Sequence, residues 1–461
     1  MNISETIAAI STPSGVGAIA IVRMSGPAAC SITTKLFRPS FLDPDGKWLR
    51  PHHASYGKLH NTDGDDIDEV VVTPFLKPHS YTGEDLIEIS CHGSPLIASR
   101  ILSLLIDQGA RLARAGEFTE RAFLNGRIDL TQAEAVLDLI QSKTNRQSKN
   151  ALSILSGDLG RQIRSIRAKL LELLTNITAG IDFPEEVGET PPQDVDAILT
   201  GAIDLLSSLA ATARSGKFLR EGLRVAIVGR PNAGKSSLLN QLLKNDRAIV
   251  SDSPGTTRDL IEELLDMNGL PVILVDTAGI RHTKDEVEQM GMERTERAIN
   301  DAQVVLHVAD VTHGWQSDEE NIAKVIGEKP WFLVHNKIDL LQQSTMPENK
   351  MANHESKVAE IQLSAKTGEG LPLLTERICA FALGGSARGS EGPTLNERQA
   401  SLCAEAVKDL KLARETVAAG MPQDCVATDL KTAIDRLSEM SGQMVTEEVI
   451  ASVFANFCIG K

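Results

Sequence analysis

At 461 residues the chain has room for roughly three domains of about 150 residues each. An apolar fraction of 42% and a charged fraction of 24% exclude collagen-like, low-complexity and wholly disordered classes. With 47 basic against 62 acidic residues the net charge is −15, an unfavourable long-range field for a free-standing nucleic-acid binder, and 3% aromatics are too few for single-strand stacking platforms.

Six cysteines (Cys30, Cys91, Cys379, Cys403, Cys425, Cys458) form no CxxC pair and read as free thiols. Met1-Asn2-Ile3-Ser4-Glu5 shows no basic n-region or apolar h-region, so no leader is expected. No uninterrupted apolar run approaches the roughly 18 residues of a membrane span, so a soluble, cytoplasmic protein with no membrane contact is expected.

In chain order, short β-like runs at Gly17 to Arg23, Glu69 to Pro74 and Leu86 to Ser90 mix with a helical period from Pro95 to Gln108 that Gly109 ends. This predicts an α+β domain to about Asn125. From Arg127 the β signals vanish, and helical periods run over Leu130 to Leu155, Arg161 to Ala179 and Val195 to Arg214, with a Pro-rich loop from Phe183 to Pro192. From Gly222 to Leu383 apolar β-rich runs alternate with helices, which predicts an α/β domain with a mostly parallel sheet. Asn268-Gly269 between Ile261–Met267 and Leu270–Val275 signals a two-residue hairpin and an antiparallel edge strand. A Gly/Ser-rich linker follows Leu383, and Leu395 to Phe457 is helical again, so the α/β unit reads as an insertion into an all-α domain.

After the strand pattern Arg224 to Val228, the run Gly229-Arg230-Pro231-Asn232-Ala233-Gly234-Lys235-Ser236 matches GxxxxGK[ST], and Ser237 continues into a helix. Strand, loop and helix together are the context this phosphate-binding motif requires. Backbone N–H groups of such a loop cradle phosphates, Lys235 reaches the β and γ oxygens, and the Ser236 hydroxyl ligates Mg²⁺. Downstream, Asp276-Thr277-Ala278-Gly279 ends the second hairpin strand, with Asp276 expected in the Mg²⁺ shell and Gly279 at the γ-phosphate. Asn336-Lys337-Ile338-Asp339 and Ser364-Ala365-Lys366 each end a strand. Here the sequence resembles translation-factor-related GTPases, in which the NKxD carboxylate binds guanine and the SAK backbone reads the guanine oxygen, so GTP is the implied nucleotide. The polar segment Ser251 to Asp259 offers Thr256 and Thr257, with Thr257 the expected second Mg²⁺ ligand. Ile280 follows the DTAG run where a Ras-like enzyme carries a water-orienting Gln, so another polar group must do that work.

GRPNAGKSSLLN, PGTTRD, DTAGIR, NKID, SAKTG and the final Cys458-Ile459-Gly460-Lys461 closely resemble the MnmE (TrmE) tRNA-modification GTPases. TIAAISTPSGVGAIAIVRMSG, YTGEDLIEISCHG and GEFTERAFLNGRID add independent support, and the likeness spans essentially the whole chain. The resemblance implies an N-terminal α+β domain (1–125) similar to folate-binding aminomethyltransferases that also dimerises. It further implies a helical domain in two parts (126–215 and 385–461) and an inserted Ras-like P-loop GTPase domain (216–384). It implies a homodimer, a flavoprotein partner MnmG, and an aminomethyl or carboxymethylaminomethyl group installed on the wobble uridine of tRNA from a one-carbon tetrahydrofolate.

K⁺ held by Asn232, Val250, Ser253 and Gly255 would stand where an arginine finger stands elsewhere. Glu288 is the implied catalytic residue for the attacking water, beside Lys235. Arg23, Glu88, Arg127 and Lys461 are the implied folate residues, Arg127 at a position where the family more usually has Lys. Cys458 is expected to be a small buried side chain without a catalytic role. One rival reading is a ribosome-assembly GTPase switch of the Era or Der kind, but Ser386 to Lys461 carries net −3 (8 basic against 11 acidic) and no GXXG loop; a second is a folate enzyme acting on a small molecule with the G domain as regulator.

Overall fold

The computed structural model describes residues 5–42, 48–245, 247–248, 263–275, 288–313, 315–341, 356–385 and 392–461. By internal contacts the chain divides into two compact units: Met1–Leu137 with Ile154–Glu172 and Ile434–Lys461, and Asp138–Ser153 with Leu173–Ala433.

The first unit opens with β1 (Ile7–Ile10), β2 (Ile19–Ser25), α1 (Ala29–Leu36), β3 (Phe37–Pro39), β4 (Ser55–His60), β5 (Asp66–Phe75), β6 (Leu86–His92), α2 (Pro95–Asp107), β7 (Arg111–Leu112) and α3 (Glu117–Leu124). The strands form one sheet in the order β3-β4-β5-β6-β2-β1-β7, antiparallel except for the β1–β7 pair. Period-two alternation sorts its faces. Val22, Met24, Ile87 and Ile89 turn toward Ile32 and Leu36 of α1 and Ile101 and Leu105 of α2, while Ile7, Ala9 and Leu86 turn the other way onto Phe118 of α3. Arg23, between Val22 and Met24, therefore lies on the Phe118 face, in register with Ala9 on one side and Glu88 on the other.

Next come α4 (Leu130–Gln141), α5 (Asn145–Leu155), α6 (Asp158–Asp182), α7 (Pro192–Ala211) and α8 (Ala213–Glu221). The period expected to run unbroken from Leu130 to Leu155 is cut at Ser142–Thr144. The break is held by a capping box: Thr144 Oγ1 accepts from Gln147 N at 3.2 Å, and Gln147 Oε1 accepts from Thr144 N at 2.8 Å. The stretch Pro192–Glu221 is long and apolar enough to cross a bilayer by length and composition. Its buried positions Val195, Leu199, Ala202, Ile203, Leu206 and Leu209 fall at helical spacing on one stripe, as in a bundle helix.

The α/β layer follows with β8 (Leu223–Val228), α9 (Lys235–Asn245), β9 (Arg247–Ala248), β10 (Glu263–Met267), β11 (Leu270–Val275), α10 (Glu288–Asp301), β12 (Val304–Asp310), α11 (Ser317–Ile326), β13 (Trp331–Asn336), β14 (Lys357–Gln362) and α12 (Leu371–Ala382). Its sheet order is β14-β13-β12-β8-β11-β10-β9, parallel apart from β10, which is antiparallel to both neighbours. The β10–β11 hairpin turns at Asn268 and Gly269 with φ of 51° and 88°, the left-handed pair such a two-residue turn demands. Val225, Ile227, Leu306 and Val334 face Leu238 and Leu242 of α9 and Leu374 and Ile378 of α12, while Ala226, Val305 and Leu333 face Ile299 and Ile326. The order of connection reverses at β8, so the carboxyl end of β8 is the topological switch point where open α/β sheets bind ligands.

The chain closes with α13 (Glu397–Ala418), α14 (Gln423–Ser441) and α15 (Glu447–Phe454). α13 packs along α7, and α15 packs on α3.

Candidate functional site

The loop after β8 is shaped by left-handed and glycine-only backbone: Gly229 has φ 148°, Asn232 64° and Gly234 98°. A Cβ at Gly229 would sit 2.2 Å from Val308 O, and one at Gly234 2.1 Å from Asn336 Nδ2, so neither position admits a side chain. Lys235 opens α9 and its Nζ donates to Gly229 O at 2.7 Å and Arg230 O at 2.8 Å, along the rim of the loop. Burial pushes the Lys235 amine below its ordinary pKa. Ser236 and Ser237 follow on the first turn of α9.

Asn336, at the end of β13, ties three segments with one buried amide. Its Nδ2 donates to Ala233 O at 2.8 Å, and its Oδ1 accepts from Lys337 N at 2.8 Å and Ala365 N at 2.9 Å. Asp339 Oδ1 accepts from Ser364 Oγ at 2.6 Å, and Ala365 is buried while Lys366 is exposed. Lys337, in the left-handed region at φ 71°, reaches Asp310 Oδ2 at 2.6 Å. Burial works against the ionised form of Asp310, but hydrogen bonds from Lys337 and Thr312 outweigh it and hold the carboxyl at about 2. The sequence motifs Gly229–Ser236, Asn336–Asp339 and Ser364–Lys366 thus meet at the carboxyl ends of β8, β13 and β14. Val250, Ser253, Gly255, Thr256, Thr257, Asp276, Thr277, Ala278 and Gly279 lie outside the described residues. Glu288 begins α10, and its side chain is likewise outside them.

A second cluster forms in the first unit. Arg23 Nε and Nη2 donate to Glu88 Oε1 at 3.0 and 2.7 Å, and the Arg23 guanidinium lies 5.8 Å from the Tyr81 ring centre and 5.7 Å from that of Phe118. The C-terminal tail of the same chain docks here. Gly460 O accepts from Arg23 Nη1 at 3.2 Å and Ser11 Oγ at 3.1 Å, Phe118 N donates to Lys461 O at 3.2 Å, and Ile459 bridges Ala115. Gly460 has φ 93°, and a Cβ there would lie 2.4 Å from Ile10 O. Burial lowers the Lys461 amine pKa, Arg23 acts the same way and Glu88 opposes both.

Three of the four residues matched to folate are therefore together. Arg127 is exposed, and its Nε donates to Ser80 O at 3.3 Å instead. Cys458 is exposed, against the expectation of burial, because the tail is held through its backbone, with Cys458 O accepting from Gly116 N at 3.4 Å. Tyr81, Phe118 and Gly460 lie in the matched stretches, where no motif of their own marks them. Beside them Arg121, almost wholly buried, bridges Glu84 at 2.9 Å and Glu117 at 3.4 Å.

A family model described as the MnmE helical domain matches residues 130–458, and one described as the GTP-binding protein TrmE N-terminus matches residues 6–127. The tRNA modification GTPase MnmE of Chloroflexus aurantiacus is 44% identical over 460 residues, 99% of this chain and 100% of its own. That of Moorella thermoacetica is 43% identical over 468 residues, 100% of both. Among solved structures, Era from Aquifex aeolicus is 28% identical, covering 41% of this chain and 67% of its own, with a TM-score of 0.26.

Proposed function

From a chain that belongs to the MnmE family of tRNA-modification GTPases, we propose a GTP-driven enzyme that builds an aminomethyl or carboxymethylaminomethyl group on the wobble uridine of tRNA. The carbon comes from a one-carbon tetrahydrofolate, the partner is the flavoprotein MnmG, and the working form is a cytoplasmic homodimer whose G-domain association is driven by GTP hydrolysis.

The observation that carries the folate end is the docked tail. Both bonds from Arg23 fall on Glu88 Oε1, which leaves Oε2 as an acceptor for the donor edge of a pterin. The Arg23 guanidinium lies over the Tyr81 and Phe118 rings, and Gly460 O fixes its third nitrogen, so the ligand meets a pre-organised pair. Lys461 is brought to the same place, where its cation suits a folate carboxylate. Arg127 joins this set from the family match alone.

At the nucleotide end, Lys235 exchanges two loop carbonyls for β and γ oxygens when GTP binds, and its burial strengthens that contact. The loop amides from Gly229 to Ser237 cradle the phosphates. Asp339 accepts from the guanine N–H groups, the Ala365 and Lys366 amides face its oxygen, and Asn336 holds these segments at one spacing. Ser236 and Thr257, with Asp276 behind them, would hold Mg²⁺, and Asn232, Val250, Ser253 and Gly255 would hold K⁺; both ions supply positive charge to the phosphoryl oxygens. The left-handed Asn232 and the hydroxyl-bearing first turn of α9 suit those roles. Glu288 orients the attacking water, a task Ile280 cannot perform.

Nucleoside analysis of tRNA from a strain lacking this chain tests the reading. Loss of the modified wobble uridines is the expected result, and an unchanged nucleoside profile contradicts it.

A further inference from the structure

The tip of the β10–β11 hairpin reaches beyond the nucleotide layer. Gly269 O accepts from Thr144 Oγ1 at 2.7 Å, and Thr144 is almost fully buried. The same hydroxyl accepts from Gln147 N in the capping box that starts α5, so its single proton is directed at the hairpin. The tip itself is tied at two points: Gly269 N donates to Asp266 Oδ1 at 2.6 Å, and Cys379 of α12 donates to Met267 O at 3.2 Å. A Cβ at Gly269 would meet Arg146 Cβ at 2.7 Å, so the backbone approaches as closely as a glycine allows. Gln147 also donates to Arg220 O at 3.4 Å, and with Asp138, Gln141, Asn150, Leu219 and Arg220 it lines a small cavity.

The position of this hairpin in the chain gives the contact its meaning. β10 is entered from the stretch carrying Thr256 and Thr257, and β11 leads directly into Asp276–Gly279. β11 is also paired to β8, the strand that feeds the phosphate loop. Each chain connection of the hairpin therefore runs to a nucleotide motif, and its only turn rests on the cap of a helix outside the α/β layer.

We propose that the Asn268–Gly269 tip is the coupling contact through which the nucleotide state is communicated to the helical block, and that Thr144 is the residue that receives it. The hairpin is too short and too well paired to absorb a change at its base, so a displacement there is carried to the tip and tilts the capped end of α5. The inference rests on GTP binding alone and stands apart from the wobble-uridine reading.

Amide hydrogen exchange on the full chain, with Mg²⁺ and either GDP or a non-hydrolysable GTP analogue, tests it. In the parent, exchange over Thr144–Lys149 should differ by about fivefold between the two nucleotides, the lower end of ordinary allosteric coupling. Thr144→Ser keeps both hydroxyl bonds and should keep the difference. Thr144→Val removes the donor and Gly269→Ala pushes the tip off Arg146 while sparing the cap; both should reduce the difference to less than about twofold with nucleotide affinity unchanged. A parent with no nucleotide-dependent difference overturns the proposal, as does a Gly269→Ala chain that responds like the parent. Loss of nucleotide affinity in Gly269→Ala overturns it too, since the tip then serves the nucleotide site's own structure.

Discussion

Asn336 shows how one side chain sets a binding pocket: a single amide spans the phosphate loop, its own strand end and the Ala365 loop. The bond between Ser364 and Asp339 then fixes the carboxylate for which base reading is proposed. Asp339→Asn should shift preference from GTP toward xanthosine triphosphate, because the amide presents a donor where guanine also donates. Competition between the two nucleotides measures this, and an undiminished preference for GTP contradicts the assignment. Asp310 braces the same loop. Its carboxyl is held at about 2, below the ordinary 3.8, so the stability this adds is complete above 3.8 and fades as pH falls toward 2. Asp310→Asn should cost ~1–3 kcal/mol near pH 6, with the difference from the parent closing across that acid window in urea unfolding. The spacing of these motifs was legible in the sequence because each ends a strand of one parallel sheet. The Arg23 cage was not, since Tyr81 and Phe118 reach Arg23 only through strand pairing and the packing of α3 over 58 and 95 residues of chain.

At the scale of elements, the signals read most clearly were those with strong local chemistry. Asn268-Gly269 gave the hairpin, and Gly109 after Gln108 gave the end of α2. β1 was missed because Ile7, Ala8 and Ala9 are all buried, so the strand shows no alternation to read. The break between α4 and α5 has no Gly or Pro, and its signal was the Thr144-x-x-Gln147 capping box. The tail is an element of its own kind, four residues held by backbone bonds. Gly460→Ala would force a left-handed alanine against Ile10 O, so it should release the tail and weaken binding of a reduced folate by about tenfold or more, while GTP affinity stays unchanged. Calorimetry with both ligands checks this, and folate binding equal to the parent's would show that the docked tail does not build the site.

Across the whole molecule, phosphate chemistry and the cluster around Arg23 belong to different compact units, and the chain weaves between those units several times. A net charge of −15 sets a long-range field unfavourable to a polyanion, which a local basic patch would have to override. The account stands on the separation of the two sites, and deletion of Ile459–Lys461 tests it most directly. The truncated chain, as the sole copy in a strain lacking the parent, should leave wobble uridines unmodified while the purified protein hydrolyses GTP at the parent's rate. Full modification by the truncated chain, or loss of GTP hydrolysis with the tail, would contradict it.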